Sequence, residues 1–372
     1  GVRANADDPA DAARARRFGA EGIGLCRVEH MLLEEGRLDV MREMILAEDD
    51  GTRRSALDRL ESVLRSDLRE VFGAMDGLPV TVRLLDPPLH EFLPREGPDL
   101  ARLARISGRS REEVLASVER HRESNPMLGR RGVRLGIAFP EISRMQARAI
   151  FDGALDATAE GTRVRLEIMI PLVMSEQEVA RQRGVVETVA ESVFSARGTR
   201  LPYAVGTMVE LPRAALVAAA LAKRADFFSF GTNDLTQTTL GLSRDDAGGF
   251  LPLYVEEGYL VADPFRTLDL EGVGRLVRMA VHQGRRARKG LEMGVCGEHA
   301  GDPRSIDFFH GVGVDYLSCS PYRVPVARLA AAQAALQRGA EASAGRMPDE
   351  EALREPAARR TSSTAEEGVG AW

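Results

Sequence analysis

The chain has 372 residues, 44% of them hydrophobic, which is enough to bury a large core. No apolar run approaches the ~20 residues needed to cross a bilayer, and a net charge of -6 with acids and bases interspersed leaves no basic stripe for nucleic acid. Three well-separated cysteines, Cys26, Cys296 and Cys319, fit neither a disulfide framework nor a zinc cluster, so a soluble cytoplasmic protein with no membrane or nucleic-acid partner is expected.

The first residue is Gly1 rather than Met, and ordered-looking sequence begins at once, which suggests a segment removed upstream. Asp8-Pro9 opens a helix over Ala10 to Phe18, and Gly22 to Leu25 is the first predicted strand. Glu29 to Gly73 then reads as an insertion of one or two charged helices before the second strand, Val80 to Leu85. His90 to Asn125 is a second insertion, with Ser110-Arg111-Glu112-Glu113 as a helix start. Six further apolar runs follow as strands: Val133 to Ile137, Leu166 to Val173, Tyr203 to Val209, Phe227 to Phe230, Met293 to Val295 and Val314 to Leu317. Among them, helices are predicted over Glu176 to Val193, Arg213 to Ala225 and Val326 to Gln337, and Gly241 to Phe265 reads as a loop. Short strands alternating with amphipathic helices predict an α/β chain folded as a (β/α)8 TIM barrel over residues 1–338, with helical insertions after strands 1 and 2. Beyond it, residues 339–372 are rich in Ala, Glu, Arg and Ser and are expected to be disordered or loosely helical.

Barrel strands turn polar where they leave the sheet on the catalytic face. Here one predicted strand ends in Cys26-Arg27, another holds Arg83 and leads to Asp86, and Arg131 precedes a third. Glu210 ends the Tyr203 strand, and Gly231-Thr232-Asn233-Asp234 ends the Phe227 strand. Cys296-Gly297-Glu298-His299 ends the strand that starts at Met293. Taken alone, Asn233-Asp234 is a turn or helix cap, each arginine a structural ion pair, and Cys296 an inert buried thiol. Together they form a constellation. Guanidiniums grip phosphate or carboxylate in a planar, bidentate way, so Arg27, Arg83 and Arg131 at one mouth point to a small phosphorylated acid. Glu210 and Asp234 are candidate Mg²⁺ ligands with Asn233 as orienter, because magnesium binds through one or two carboxylates and substrate oxygens. Cys296, near arginines and a metal, is expected to have a loosened proton and to act as acid or base toward carbon. His299 is expected to support the site through hydrogen bonds, and Cys26 and Cys319 to serve packing.

These residues resemble a known family. Gly24-Leu25-Cys26-Arg27-Val28-Glu29-His30, the run from Val82-Arg83-Leu84-Leu85-Asp86 to Pro94, Asn125-Pro126-Met127-Leu128-Gly129, Gly231 to Asp246, and Gly297-Glu298-His299 through Arg323 are similar to the C-terminal domain of pyruvate phosphate dikinase. The similarity runs over about residues 2–338. It implies a barrel that interconverts pyruvate and phosphoenolpyruvate, in which Glu210 and Asp234 bind Mg²⁺ and Arg27, Arg83 and Arg131 hold the phosphoryl group and the enolate. By the same resemblance Gly231, Thr232 and Asn233 contact substrate and Cys296 gives a proton to the methylene carbon. Val28 stands where the family usually has Thr, and Arg130 where it usually has His. The complete enzyme passes phosphoryl from ATP through a histidine on a swivelling domain. None of the six histidines here lies in a Thr-Ser-His setting, so the resemblance implies one half-reaction, with the phosphohistidine domain and the ATP-binding domain outside this chain. A homodimer is also implied. Two other readings remain open at this stage: a non-catalytic phosphoenolpyruvate-binding or dimerisation module, and a carbon-carbon lyase acting on a malyl-type substrate.

Overall fold

The computed structural model describes residues 1–34, 36–94 and 96–343. Eight parallel strands close into a barrel in chain order: β1 (Val2–Asn5), β2 (Ile23–Arg27), β3 (Pro79–Arg83), β4 (Arg165–Ile170), β5 (Tyr203–Val209), β6 (Phe227–Phe230), β7 (Glu292–Val295) and β8 (Tyr316–Cys319). The ring is sealed where β1 meets β8, with Val2 opposite Leu317 and Ala4 opposite Cys319. This is the (β/α)8 TIM barrel predicted from the alternation of strands and helices.

Helix starts follow the local chemistry. Asp8 caps α1 (Pro9–Arg17) by accepting from the Asp11 N–H at 2.8 Å, with Pro9 pre-set for the first turn. After β2 come α2 (Val28–Leu32), α3 (Arg37–Leu46) and α4 (Asp50–Ala74). After β3 come α5 (Pro98–Ser107), α6 (Arg111–His121), α7 (Val133–Ala138) and α8 (Pro140–Ala159). The expected start at Ser110 is a full capping box with Glu113. A second box, Ser175 with Glu178, opens α9 (Glu176–Arg197) between β4 and β5. The helix expected over Arg213 to Ala225 is interrupted at Val217, whose φ of -109° and ψ of 21° leave the helical basin, giving α10 (Pro212–Leu216) and α11 (Ala218–Leu221). From β6 the chain enters α12 (Thr232–Leu240), and the expected loop of 241–265 contains a short helix, α13 (Leu251–Glu256). The circuit ends with α14 (Val273–Ala287), α15 (Pro303–Val312) and α16 (Val324–Ser343).

Two strand assignments need correction. The first barrel strand is Val2–Asn5, which pattern reading passed over because Arg3 and Asn5 interrupt so short an apolar run. Arg3 is accommodated in the barrel because its guanidinium bonds Glu167 at 2.7 Å and Glu292 at 2.5 Å, and lies 3.7 Å above the Tyr316 ring. Conversely, Val133 to Ile137, read as a strand, is helix α7. Gly132 precedes it at φ 55° and ψ -133°, a conformation for glycine, and the Val133 N–H donates to the Pro171 carbonyl at 3.1 Å as the helix begins. The total of eight strands therefore holds with one exchanged for another. In consequence the helical insertions follow the second and third strands, not the first and second. Of the tail expected from residue 339, residues 339–343 continue α16 to Ser343, and residues 344–372 lie outside the described residues.

Candidate active site

Strand ends and the loops after them bring the sequence-selected residues to one mouth. Arg27 ends β2, Arg83 ends β3, Arg131 lies before α7, Glu210 follows β5, Thr232, Asn233 and Asp234 open α12, and Cys296 follows β7. Arg131 spans the opening. Its Nη1 donates to Asp234 at 3.1 Å, and its Nε and Nη2 both reach Asp86. Arg83 shares the same Asp86, with Nη1 at 3.1 Å, and also bonds Glu29. Arg27 is held by Asp7, which takes its backbone N–H at 2.9 Å and its Nη2 at 2.6 Å. The Arg27 side chain is 34% exposed, against 9% for Arg83 and 11% for Arg131, so of the three it is the one that faces the outside. It borders a recess of about 150 Å³ together with Asn5, Asp7, Gly297, Glu298 and Ser320.

Pattern reading missed two carboxylates here, Asp7 and Glu29, and gave no role to the third, Asp86, which it had placed after the Arg83 strand. Asp86 stands three residues after Arg83, a spacing visible in the sequence. Asp7 follows β1, the strand that was not recognised, so its place could not be inferred.

The electrostatics are strongly coupled. Burial opposes the charge on Arg83, but Glu29 and Asp86 outweigh it and hold the guanidinium charged; Asp86 and Asp234 do the same for Arg131. Burial would raise Asp86, yet Arg83 and Arg131 lower it below the ordinary carboxylate range. Glu210 behaves in the opposite way. Burial, reinforced by Asp86 and Asp234, holds its carboxyl well above the ordinary range, against Arg131 and Arg83. One of its oxygens, Oε1, accepts from the Leu172 N–H at 2.6 Å, while the buried Oε2 has no hydrogen-bond partner. Leu172 is the one non-glycine at positive φ, 56°, among the described residues. That backbone setting delivers its N–H to Glu210. A Cβ on Gly231 would come within 2.7 Å of Glu210 Oε2, so the glycine keeps the space beside that oxygen clear.

The Cys296 thiol is corrected by its surroundings. Arginines and a metal together were expected to loosen its proton; the arginines are already paired with carboxylates, and in the protein alone burial pushes the thiol up to about 11. It is therefore a thiol at neutral pH, directed to the Phe230 carbonyl at 3.7 Å. Cys26 and Cys319 are buried, and burial raises both thiols as well. His299 supports the site as expected: Nε2 meets the Pro264 carbonyl and Nδ1 the Thr232 hydroxyl, each at 2.8 Å. Asn233 Oδ1 accepts from the Glu298 N–H at 3.0 Å, which fixes its amide. Val28 is fully buried, and Arg130 lies 5.9 Å from the Phe139 ring.

The donor set suits a divalent cation. Asp7, Glu29, Asp86, Glu210 and Asp234 face three arginines, leaving formal negative charge to balance, and Glu210 Oε2 is an orphaned buried acceptor. Among the described residues no three His, Cys, Asp or Glu side chains are grouped to hold a metal unaided.

A family model for the PEP-utilising enzyme, PEP-binding domain matches residues 1–336. Pyruvate, phosphate dikinase of Rhizobium meliloti (strain 1021) is 56% identical over 336 residues, covering 90% of this chain and 37% of that protein. Pyruvate, phosphate dikinase 2 of Oryza sativa subsp. japonica is 56% identical over 339 residues, covering 90% and 38%. Pyruvate, phosphate dikinase 1 of Arabidopsis thaliana is 55% identical over 334 residues, covering 89% and 35%. The chain thus spans little more than a third of the length of these relatives. The chain belongs to the PEP-utilising enzyme family as a PEP-binding domain of the pyruvate, phosphate dikinase type.

Proposed function

We propose that this domain carries the half-reaction that interconverts pyruvate and phosphoenolpyruvate, exchanging phosphoryl with a phosphohistidine on a separate swivelling domain. The full ATP-dependent cycle then also needs an ATP-binding domain. The observation that most supports this reading is one mouth holding three arginines, an excess of carboxylates, and a buried carboxylate oxygen without a partner.

Glu210 and Asp234 would hold Mg²⁺, with Gly231, Thr232 and Asn233 lining the substrate. Bound there, the ion would supply stabilisation of the negative charge that develops on the enolate. Arg27, Arg83 and Arg131 grip the phosphoryl and carboxylate groups, exchanging part of their present carboxylate contacts for substrate oxygens. In the direction of pyruvate, the bond from phosphorus to the enolate oxygen breaks and one to the partner's histidine nitrogen forms. Cys296, held as a thiol, gives its proton to the methylene carbon and becomes a thiolate, which the reverse direction reprotonates. A homodimer is part of the proposal and is checked by sedimentation.

The test is proton NMR of pyruvate in D₂O with the folded chain. Methyl protons should exchange with solvent only when Mg²⁺ is present, and Cys296→Ala should slow that exchange by about 10²–10⁴-fold. A folded, metal-loaded sample without exchange would sink the catalytic proposal. If phosphoenolpyruvate still raised Tm in that sample, the reading would become a binding module alone.

A further inference from the structure

Segment 242–265 lies between α12 and α14 and has a small core of its own, made by Ala247, Leu251 and Phe265 with Phe250 and Leu260 against them. It contributes none of the substrate, metal or proton-donor residues assigned above. Yet it is tied to two of them, one at each end. At its start the Arg244 N–H donates to Gln237 Oε1 at 2.8 Å, and Gln237 Nε2 lies 3.5 Å from Asp234 Oδ1, the outer limit of a hydrogen bond. At its end the Pro264 carbonyl meets His299 Nε2, whose other ring nitrogen meets the Thr232 hydroxyl, both at 2.8 Å.

The chemistry of the His299 contacts gives the link a direction. A carbonyl only accepts, so Nε2 carries the proton. In the neutral ring Nδ1 is then an acceptor, and the Thr232 hydroxyl must donate to it. Burial of His299 favours that neutral form. The orientation of the Thr232 hydroxyl thus depends on where Pro264 sits. Crowding enforces the arrangement: a Cβ on Gly297 would fall 2.0 Å from Thr232 Oγ1, so the hydroxyl occupies space that only a glycine leaves free.

We propose that His299 and Gln237 are positioning residues that couple the 242–265 segment to Thr232 and Asp234, so that filling the site and ordering this segment reinforce each other. The coupling rests on the reading of the site given above, and by linkage it acts in both directions. His299 works through Thr232, and Gln237 is the weaker of the two links.

The test is amide hydrogen exchange of the whole chain with and without pyruvate plus Mg²⁺, beside the NMR measurement of methyl-proton exchange. In the parent protein the ligands should slow exchange across 242–265 about fivefold, the scale of one hydrogen bond. His299→Leu should abolish that remote slowing. His299→Gln, which offers one donor and one acceptor, should restore it together with methyl-proton exchange. Methyl exchange without any ligand effect at 242–265, or an effect that survives His299→Leu, overturns the coupling while leaving the proposed reaction standing. If neither methyl exchange nor a Tm shift occurs in the parent, the reaction and the coupling that rests on it both fall. In the free protein His299→Leu should speed exchange at 242–265 with the barrel strands unchanged, and no change there overturns the link through His299. Should His299→Leu fail to fold, Gln237→Met cuts the other link and is read by the same criteria.

Discussion

At the scale of single residues, Glu210 and Asp86 show how one mouth holds carboxylates in opposite states. Asp86 is stabilised as an anion by two arginines that it also orients, whereas Glu210 has a backbone N–H on one oxygen and nothing on the other. Because burial and neighbouring acids favour the neutral form of Glu210, a carboxamide is a near match for it in the metal-free protein. Glu210→Gln should therefore leave Tm unchanged or higher without Mg²⁺, and should remove the Tm rise that Mg²⁺ with pyruvate produces. A calorimetric scan with and without metal reads both, and a Mg²⁺-dependent rise that persists in the variant would remove Glu210 from the proposed ligand set. The residue types in this cluster were legible in the sequence, since Arg27, Arg83, Arg131, Glu210 and Asp234 do converge. Their present partners were not, because Asp7 and Glu29 are brought to Arg27 and Arg83 only by the pairing of β1 with β2 and of β2 with β3. The thiol chemistry was also hidden: nearness to arginines lowers a thiol only where their charge is not already neutralised.

At the scale of elements, α4 and α8 pack closely because Gly153 leaves room for the α4 backbone, where a Cβ would stand 2.8 Å from the Arg65 carbonyl. Glu61 on α4 is half-buried at this interface. Burial raises its carboxyl to about 7; Arg148 opposes the shift, and Asp152 and Asp58 add to it. The neutral form thus favours the fold. Its contribution is fully present below the unfolded pKa of about 4.5, declines as pH rises, and is gone above about 7. Glu61→Gln should have the same urea midpoint as the parent near pH 4 and a higher one at pH 8. A variant that is no more stable than the parent at pH 8 would show that solvent reaches Glu61 freely. Helix starts were readable here, because capping at Ser110 and Ser175 is local chemistry. The sequence Val133 to Ile137 was not, because its apolar, β-branched composition fits strand or helix equally. A glycine turn and a contact to Pro171 decide for helix.

At the scale of the whole molecule, the barrel is closed by a strand that carries an arginine into its interior. Arg3 joins β1 to Glu167 on β4 and Glu292 on β7, and Thr81 of β3 donates to Glu167 at 2.6 Å. Removing one partner of such a network leaves an uncompensated buried charge. Arg3→Met should cost about 3–5 kcal/mol in a urea titration, and a loss below about 1 kcal/mol would show that Glu167 is neutralised or hydrated instead. Among the described residues no helix is long and apolar enough to cross a membrane.

By itself the amino-acid sequence determined the alternation of strand and helix, the helix caps, and the set of polar residues placed at strand ends. Each of these follows from interactions between residues close in the chain or from a two- or 3.6-residue period. Tertiary structure alone decided that Val2–Asn5 is the closing strand, that Leu172 turns its N–H to Glu210, which arginine meets which carboxylate, and that the Cys296 thiol keeps its proton. Those outcomes depend on burial and on charges brought together from residues 7 to 296, and such distances and dielectric surroundings exist only once the barrel has closed.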